Sequence, residues 1–170
     1  MIASRRLLIF GGLVLATLGI FYGVYYAAFA EHQALNQMGS SLALSFAAAA
    51  SRDSVQSKSA LQQYGETKYD YVRDVDFHSH WVGLSMILIV LGVIFEHVHF
   101  SESIRTTLAV CLLVGSLMFP LAVFLQTYFH GASIFKALAV VGPALIIVSL
   151  AGTAWGFARA STGSLRNDVV

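Results

Sequence analysis

The chain has 170 residues, of which 57% are hydrophobic and only 11% are charged. Soluble domains carry roughly a quarter charged residues, so this composition is typical of a protein embedded in a lipid bilayer. The net charge is +1 and no block of basic residues is present, which excludes nucleic acid as an expected partner. The single cysteine, Cys111, excludes an intrachain disulfide.

Four apolar segments are long enough to cross about 30 Å of hydrocarbon as helices. They cover approximately residues 7–30, 79–97, 106–129 and 137–158. The alternation with a period of two that is typical of membrane β-strands is absent. The sequence therefore predicts an all-α fold, a single integral membrane four-helix bundle.

The distribution of basic residues predicts the orientation of the bundle. Arg5, Arg6, Arg105 and Arg159 flank the ends of spans on one side, which is typical of the cytoplasmic side. We expect a multi-pass protein of the inner (cytoplasmic) membrane, with both termini in the cytoplasm. The basic residues of the long loop 31–77 weigh little in this argument, because long loops are weak determinants of topology.

This outer loop, residues 31–77, contains no proline and is rich in alanine, serine and glutamine. The pattern favours a helical cap in the form of a hairpin that turns near Ser51, Arg52 and Asp53. The apolar run 41–50 is suited to lie along the membrane surface as an amphipathic helix.

Two further patterns concern helix packing and membrane anchoring. Gly19 and Gly23 in the first span, and Gly152 and Gly156 in the fourth, have the spacing that lets helices approach closely. Packing within the chain is the favoured interpretation, and a dimer or partner face is the alternative.

Aromatic residues near the span ends are interpreted as interfacial anchors. On the outer side these are Tyr22, Tyr25, Tyr26, Trp81 and Tyr128.

Four of the six histidines are expected at the outer ends of the spans: His32, His78, His80 and His130. Histidine tolerates the headgroup layer, but neutral imidazole is also the commonest side-chain metal ligand. His97 and His99 lie at the inner end of the second span and diverge on a helix, so we interpret them as part of a solvated inner rim.

The conformation of residues 76–80 decides between two kinds of site. An extended chain would point Asp76, His78 and His80 to one side, which suits copper or zinc, with His32 as a further ligand. In a helix only Asp76 and His80 share a face. His80 would then face the bundle as a haem ligand, and Gly83, one turn further, would leave room for a flat macrocycle.

The third span supplies a candidate second ligand. Gln126 and His130 share a helical face, and Gln126 is one of few polar residues deep in a span. His80 and His130 are the predicted bis-histidine pair for haem b. His78, Gly83 and Gln126 are further candidates for cofactor contacts.

The segment that begins at His78-Ser79-His80 and continues through Gly83 resembles helix II of subunit I of the haem–copper oxidases. It also resembles small membrane b-type cytochrome-like proteins that carry an isolated version of that helix. The resemblance covers residues 76–95, and it implies that His80 or His78 is one axial ligand of a low-spin haem and His130 the other. The glycine follows the second histidine by three residues, one fewer than the family pattern. The copper-binding histidines and the cross-linked tyrosine of the oxidases have no counterpart, so the resemblance does not imply oxygen reduction.

Taken together, these patterns predict an electron-transfer subunit with a haem b near the outer face, rather than a stand-alone enzyme. It would exchange electrons between a quinone or a partner haem and a soluble redox protein. An acidic stretch that contains Glu66, Asp70, Asp74 and Asp76 would steer a basic carrier to this face. Two alternatives remain open: a non-catalytic accessory or assembly subunit among other membrane subunits, and an outer copper or zinc site.

Overall fold

The computed structural model describes residues 3–129 and 131–167, with side chains described as far as Arg159. Within these residues the chain is helical and contains no strand. The helices are α1 (Ala3–Tyr25), α2 (Glu31–Ala50), α3 (Ser54–Ile94), α4 (Glu102–Tyr128) and α5 (Ser133–Asn167). A π-helical turn, Tyr26–Ala30, links α1 to α2, and a 3₁₀ turn, Phe95–His97, follows α3.

Four helical stretches of the described chain are long and apolar enough to cross a membrane. The expected all-α, multi-pass four-helix architecture is therefore confirmed. Helix α1 pairs with the second half of α3, α4 packs against both of them, and α5 packs mainly along α4. Buried apolar side chains join the helices in one core, which includes Leu8, Leu15, Leu88, Phe95, Leu112 and Ile146. Side chains on the outer surface of α5, such as Val140, Ile147 and Val148, are exposed as a lipid-facing surface requires.

The long loop between the first two spans is a helical hairpin that continues the membrane helices. Helix α1 passes into α2 through the π-helical turn with right-handed helical backbone at both junctions. The hairpin reverses at Ser51–Asp53, where the sequence predicts the turn. Asp53 caps α3 by accepting hydrogen bonds from the backbone amides of Val55 and Gln56.

Residues 41–50 are helical, as the sequence predicts, and their small side chains serve a contact with another helix. These residues belong to α2, which packs against the first half of α3. Ser41, Ser45 and Ala48 are buried in this contact, and the Ser45 hydroxyl donates to the carbonyl of Ser57 at 3.1 Å. The small side chains of α2 therefore serve close helix pairing.

Both glycine motifs lie at contacts with other helices or loops of the same chain. A Cβ atom at Gly19 would lie 2.9 Å from the Cγ2 atom of Val82, and Gly23 contacts the ring of His78. In α5, a Cβ atom at Gly152 would lie 3.0 Å from Leu108, and Gly156 contacts Val98. These faces are occupied by neighbouring helices and loops, which favours packing within the chain over a dimer face.

Charged side chains join the helices at the end of the bundle opposite the hairpin. Arg5 of α1 pairs with Glu96 at 2.9 Å, and Arg105 pairs with Glu102 at 3.0 Å. His97 and His99 are exposed beside them. This arrangement matches the solvated rim that the sequence predicts at this end.

Candidate functional site

The segment that carries Asp76, His78 and His80 lies inside α3 and is helical throughout. The extended conformation on which the copper or zinc alternative depended is therefore not adopted. His32 lies exposed on α2. Among the residues that the structure describes, no group of three or more His, Cys, Asp or Glu side chains is arranged to hold a metal ion.

His78 packs into the contact between α1 and α3. Its Nδ1 atom lies 2.9 Å from the carbonyl oxygen of Gly19. Because a carbonyl can only accept, Nδ1 carries the proton in this contact. The ring also packs against Gly23, where any larger residue would collide with it. His78 thus joins two helices, and of the two histidines it is the less accessible to a cofactor.

His80 points to a different side of α3 and is exposed. Its Nδ1 atom donates to the carbonyl oxygen of Asp76 at 2.7 Å. That bond fixes the tautomer and leaves the lone pair of Nε2 for an electrophile. The ring also meets the edge of Phe119 on α4, with 4.9 Å between ring centroids. His80 therefore has the geometry of a ligand that coordinates through Nε2.

Open space adjoins His80 at Gly83. Gly83 is exposed, and a Cβ atom built there would have no neighbour within 4 Å. The surface that contains His80 and Gly83 is flanked by the ring of Phe119. A planar, largely apolar group can lie along such a surface.

The predicted partners on α4 are only partly described. Gln126 is buried, and its amide nitrogen donates to the carbonyl of Ala122 at 3.2 Å, within its own helix. His130 lies outside the described residues. Helix α4 continues from Phe119, beside His80, for nine residues to Tyr128, a rise of about 14 Å. The pairing of His80 with His130 stays a prediction.

Two tyrosines expected to anchor the bundle in the membrane are instead interior residues. The Tyr22 hydroxyl donates to the Oδ1 atom of Asp74 at 2.9 Å. Its ring packs against Phe77, with centroids 4.6 Å apart. Tyr26 is 7% exposed. The interface-anchor interpretation of Tyr22 and Tyr26 is therefore wrong, although Tyr25 and Tyr128 are exposed.

The acidic stretch of α3 divides into two faces. Glu66, Asp70 and Asp74 line a cavity of about 450 Å³ between α2 and α3, together with Tyr26 and Tyr71. Asp76 lies outside this lining. The spacing of four residues between these acids is visible in the sequence. The sequence does not show that α2 packs beside them and forms the other side of the cavity.

No family model, curated protein or solved structure matches this chain. The resemblance of residues 76–95 to an oxidase helix is therefore neither supported nor opposed by relatives. The geometry of the chain itself carries the functional argument.

Proposed function

We propose that this chain is a membrane electron-transfer subunit that binds a b-type haem, with His80 as an axial ligand. The observation that carries the proposal is the hydrogen bond from Nδ1 of His80 to the carbonyl of Asp76, at 2.7 Å. A histidine oriented in this way presents a basic Nε2 atom and loses little rotational freedom when it coordinates a metal. His78 lacks this role because it is packed between α1 and α3.

The surroundings of His80 fit a haem better than a small metal ion. A haem iron takes a single protein ligand on each face, so one well-oriented histidine on α3 suffices for one side. Gly83 and Phe119 offer open space and an aromatic edge for the macrocycle. A copper or zinc site needs several converging ligands, and the described residues bring no such set together. Bound haem would supply one-electron redox chemistry. The chain would orient the haem and cover one side of it.

The sequence predicts His130 as the second axial ligand; however, α4 passes His80 at Phe119 and continues for about 14 Å to Tyr128, so a second ligand at the level of His80 would have to come from elsewhere.

The carboxylates of Glu66, Asp70, Asp74 and Asp76 would favour a basic soluble redox protein as one electron partner. A quinone, or a haem in another membrane subunit, would be the other.

The test is a reduced-minus-oxidised optical spectrum of the full chain, purified in mild detergent. We expect a b-type α band that His80→Ala abolishes and that His97→Ala, an exposed histidine at the other end of α3, retains. The variant His130→Ala tests the second ligand, because an unchanged α band would place that ligand elsewhere. An α band of full intensity in His80→Ala would contradict the proposal.

A second candidate function is that of a non-catalytic accessory or assembly subunit. The hairpin exposes large apolar side chains near its turn: Phe46 is 67% exposed and Val55 is 78% exposed. Apolar groups that project from the membrane portion are typical of a contact with another subunit. The same spectra separate the two functions, since folded protein without any absorbing cofactor would favour this candidate.

We propose that the hairpin faces the outside of the cytoplasmic membrane and that both termini face the cytoplasm, as the distribution of arginines indicates. In a Cys111→Ser background, Ser51→Cys at the exposed hairpin turn should react completely with an impermeant maleimide applied to spheroplasts. A cysteine at Arg6, near the other end of α1, should react only after the membrane is permeabilised. The reverse pattern would invert the orientation.

A further inference from the structure

The cavity between α2 and α3 is separate from the surface of His80 and Gly83 on which we propose that the haem binds. It lies where the membrane bundle passes into the hairpin, beside the π-helical turn Tyr26–Ala30. Its volume of about 450 Å³ is that of a small-molecule site. Single π-helical turns within long helices occur frequently at functional sites.

The charge of this cavity is one-sided. Glu66, Asp70 and Asp74 follow one face of α3 at intervals of four residues, and no lysine or arginine is among the described residues of the lining. Lys68 and Arg73 lie over the rings of tyrosines on their own helix and do not line the cavity. Like charges at this spacing destabilise a helix, so a cationic ligand would relieve their repulsion.

Tyr26 gives an independent indication of a ligand. Its side chain lines the cavity and is only 7% exposed. Its hydroxyl group is buried and has no hydrogen-bond partner. A buried hydroxyl without a partner costs free energy, and a ligand that donates a hydrogen bond would recover that cost.

The spacing of the carboxylates decides which kind of cation fits. Successive acids are separated by about 6 Å along the helix axis, so the three form a row and do not converge on one point. A single metal ion needs oxygen ligands within about 2.6 Å of one centre, and no such group exists among the described residues. A linear chain with ammonium groups several methylenes apart matches the row. The rings of Tyr26 and Tyr71 would flank its methylenes and ammonium groups.

We propose that this cavity binds a linear aliphatic di- or polyamine, with its ammonium groups aligned along Glu66, Asp70 and Asp74. One ammonium group donates to the hydroxyl of Tyr26. The amide oxygens of Gln33 and Gln37 on α2 accept from the same ligand across the cavity. The site belongs to the extramembrane hairpin and does not require haem.

The test is isothermal titration calorimetry of the full-length protein in detergent at fixed ionic strength, with spermidine, putrescine, butylamine and Mg²⁺ as probes. We expect affinity to fall from spermidine to putrescine to butylamine, because each step removes a charged hydrogen-bond donor. Asp70→Asn should weaken spermidine binding about tenfold or more, which is the usual worth of one charge-assisted hydrogen bond. Asp76→Asn removes the same charge from the same helix outside the cavity, and should leave the affinity within about twofold.

Tyr26→Phe provides a variant that should fold, since it removes only a hydroxyl group without a partner. We expect it to weaken spermidine binding severalfold while the charge of the cavity is unchanged. Equal losses in Asp70→Asn and Asp76→Asn would overturn the proposal, because they indicate general attraction to an acidic surface. Unchanged spermidine affinity in Tyr26→Phe, Mg²⁺ binding with the same dependence on Asp70, or no heat from any amine would also overturn it.

Discussion

Replacing Phe95 by alanine should cost about 3–5 kcal/mol of stability, one of the two largest effects we expect. Phe95 is fully buried at 0% exposure and opens the 3₁₀ turn that ends α3. It belongs to the core cluster that joins α1, α3, α4 and α5. Lipid is as apolar as a phenyl ring, so the loss arises from missing van der Waals contacts around a cavity rather than from exposure to water.

The measurement is the unfolding midpoint in mixed detergent micelles, followed by circular dichroism. Phe10→Ala is the matched control, because Phe10 lies on α1 and is 71% exposed. We expect the control to stay within about 0.5 kcal/mol of the wild type. Equal destabilisation by the two substitutions would mean that Phe95 does not lie in a packed core.

The number of helices and the position of the hairpin turn could be predicted from the sequence because both follow from local patterns. Apolar runs of sufficient length have no alternative to helix in lipid. The turn is indicated by Asp53, which precedes a helical segment and can cap it. These features depend on neighbouring residues alone.

The roles of His78 and His80 could not be distinguished from the sequence. The helical alternative correctly separates the two histidines, but its expectation that His80 faces the bundle is wrong, because His78 packs against α1 and His80 is exposed. Two residues correspond to about 200° around a helix, so one histidine must face away from the other. The partner helix α1 determines which one faces it, because Gly23 leaves room for the ring of His78 and the carbonyl of Gly19 accepts its hydrogen bond. The rotation of a helix about its axis depends on such distant partners, and no local pattern encodes it.

The role of Tyr26 was missed for a related reason. A tyrosine at the end of an apolar run has the pattern of a membrane anchor. Here α1 does not end, because the π-helical turn carries the chain directly into α2. Tyr26 therefore lies in the middle of a helix of 48 residues that pairs with α3, and its side chain enters the space between them.

The second large effect is expected for Gly142→Leu, which should separate α5 from α4. A Cβ atom at Gly142 would lie 2.9 Å from the backbone nitrogen of Phe119 and 2.8 Å from its Cβ atom. Because the obstacle is partly backbone, a rotamer change cannot relieve it, and the helices must move apart. Gly115 approaches the carbonyl of Gly142 from the other side. Since α5 packs mainly along α4, with a smaller contact between Gly156 and Val98 near its other end, this contact carries most of its packing. We expect a loss of about 3 kcal/mol or more, at or above the upper end of ordinary overpacking.

Cross-linking measures this separation directly. In a Cys111→Ser background, cysteines introduced as Leu108→Cys and Gly152→Cys should form a disulfide across the α4–α5 contact, where the two residues meet. Adding Gly142→Leu should reduce the yield severalfold. Gly39→Leu, at a position with no neighbour within 4 Å of its Cβ, should leave it unchanged and slightly favour the helix. An unchanged yield with Gly142→Leu would show that α4 and α5 are not in close contact at Gly142. Phe119 lies against both Gly142 and His80, so separation of α5 would also disturb the surface on which we propose that the haem binds.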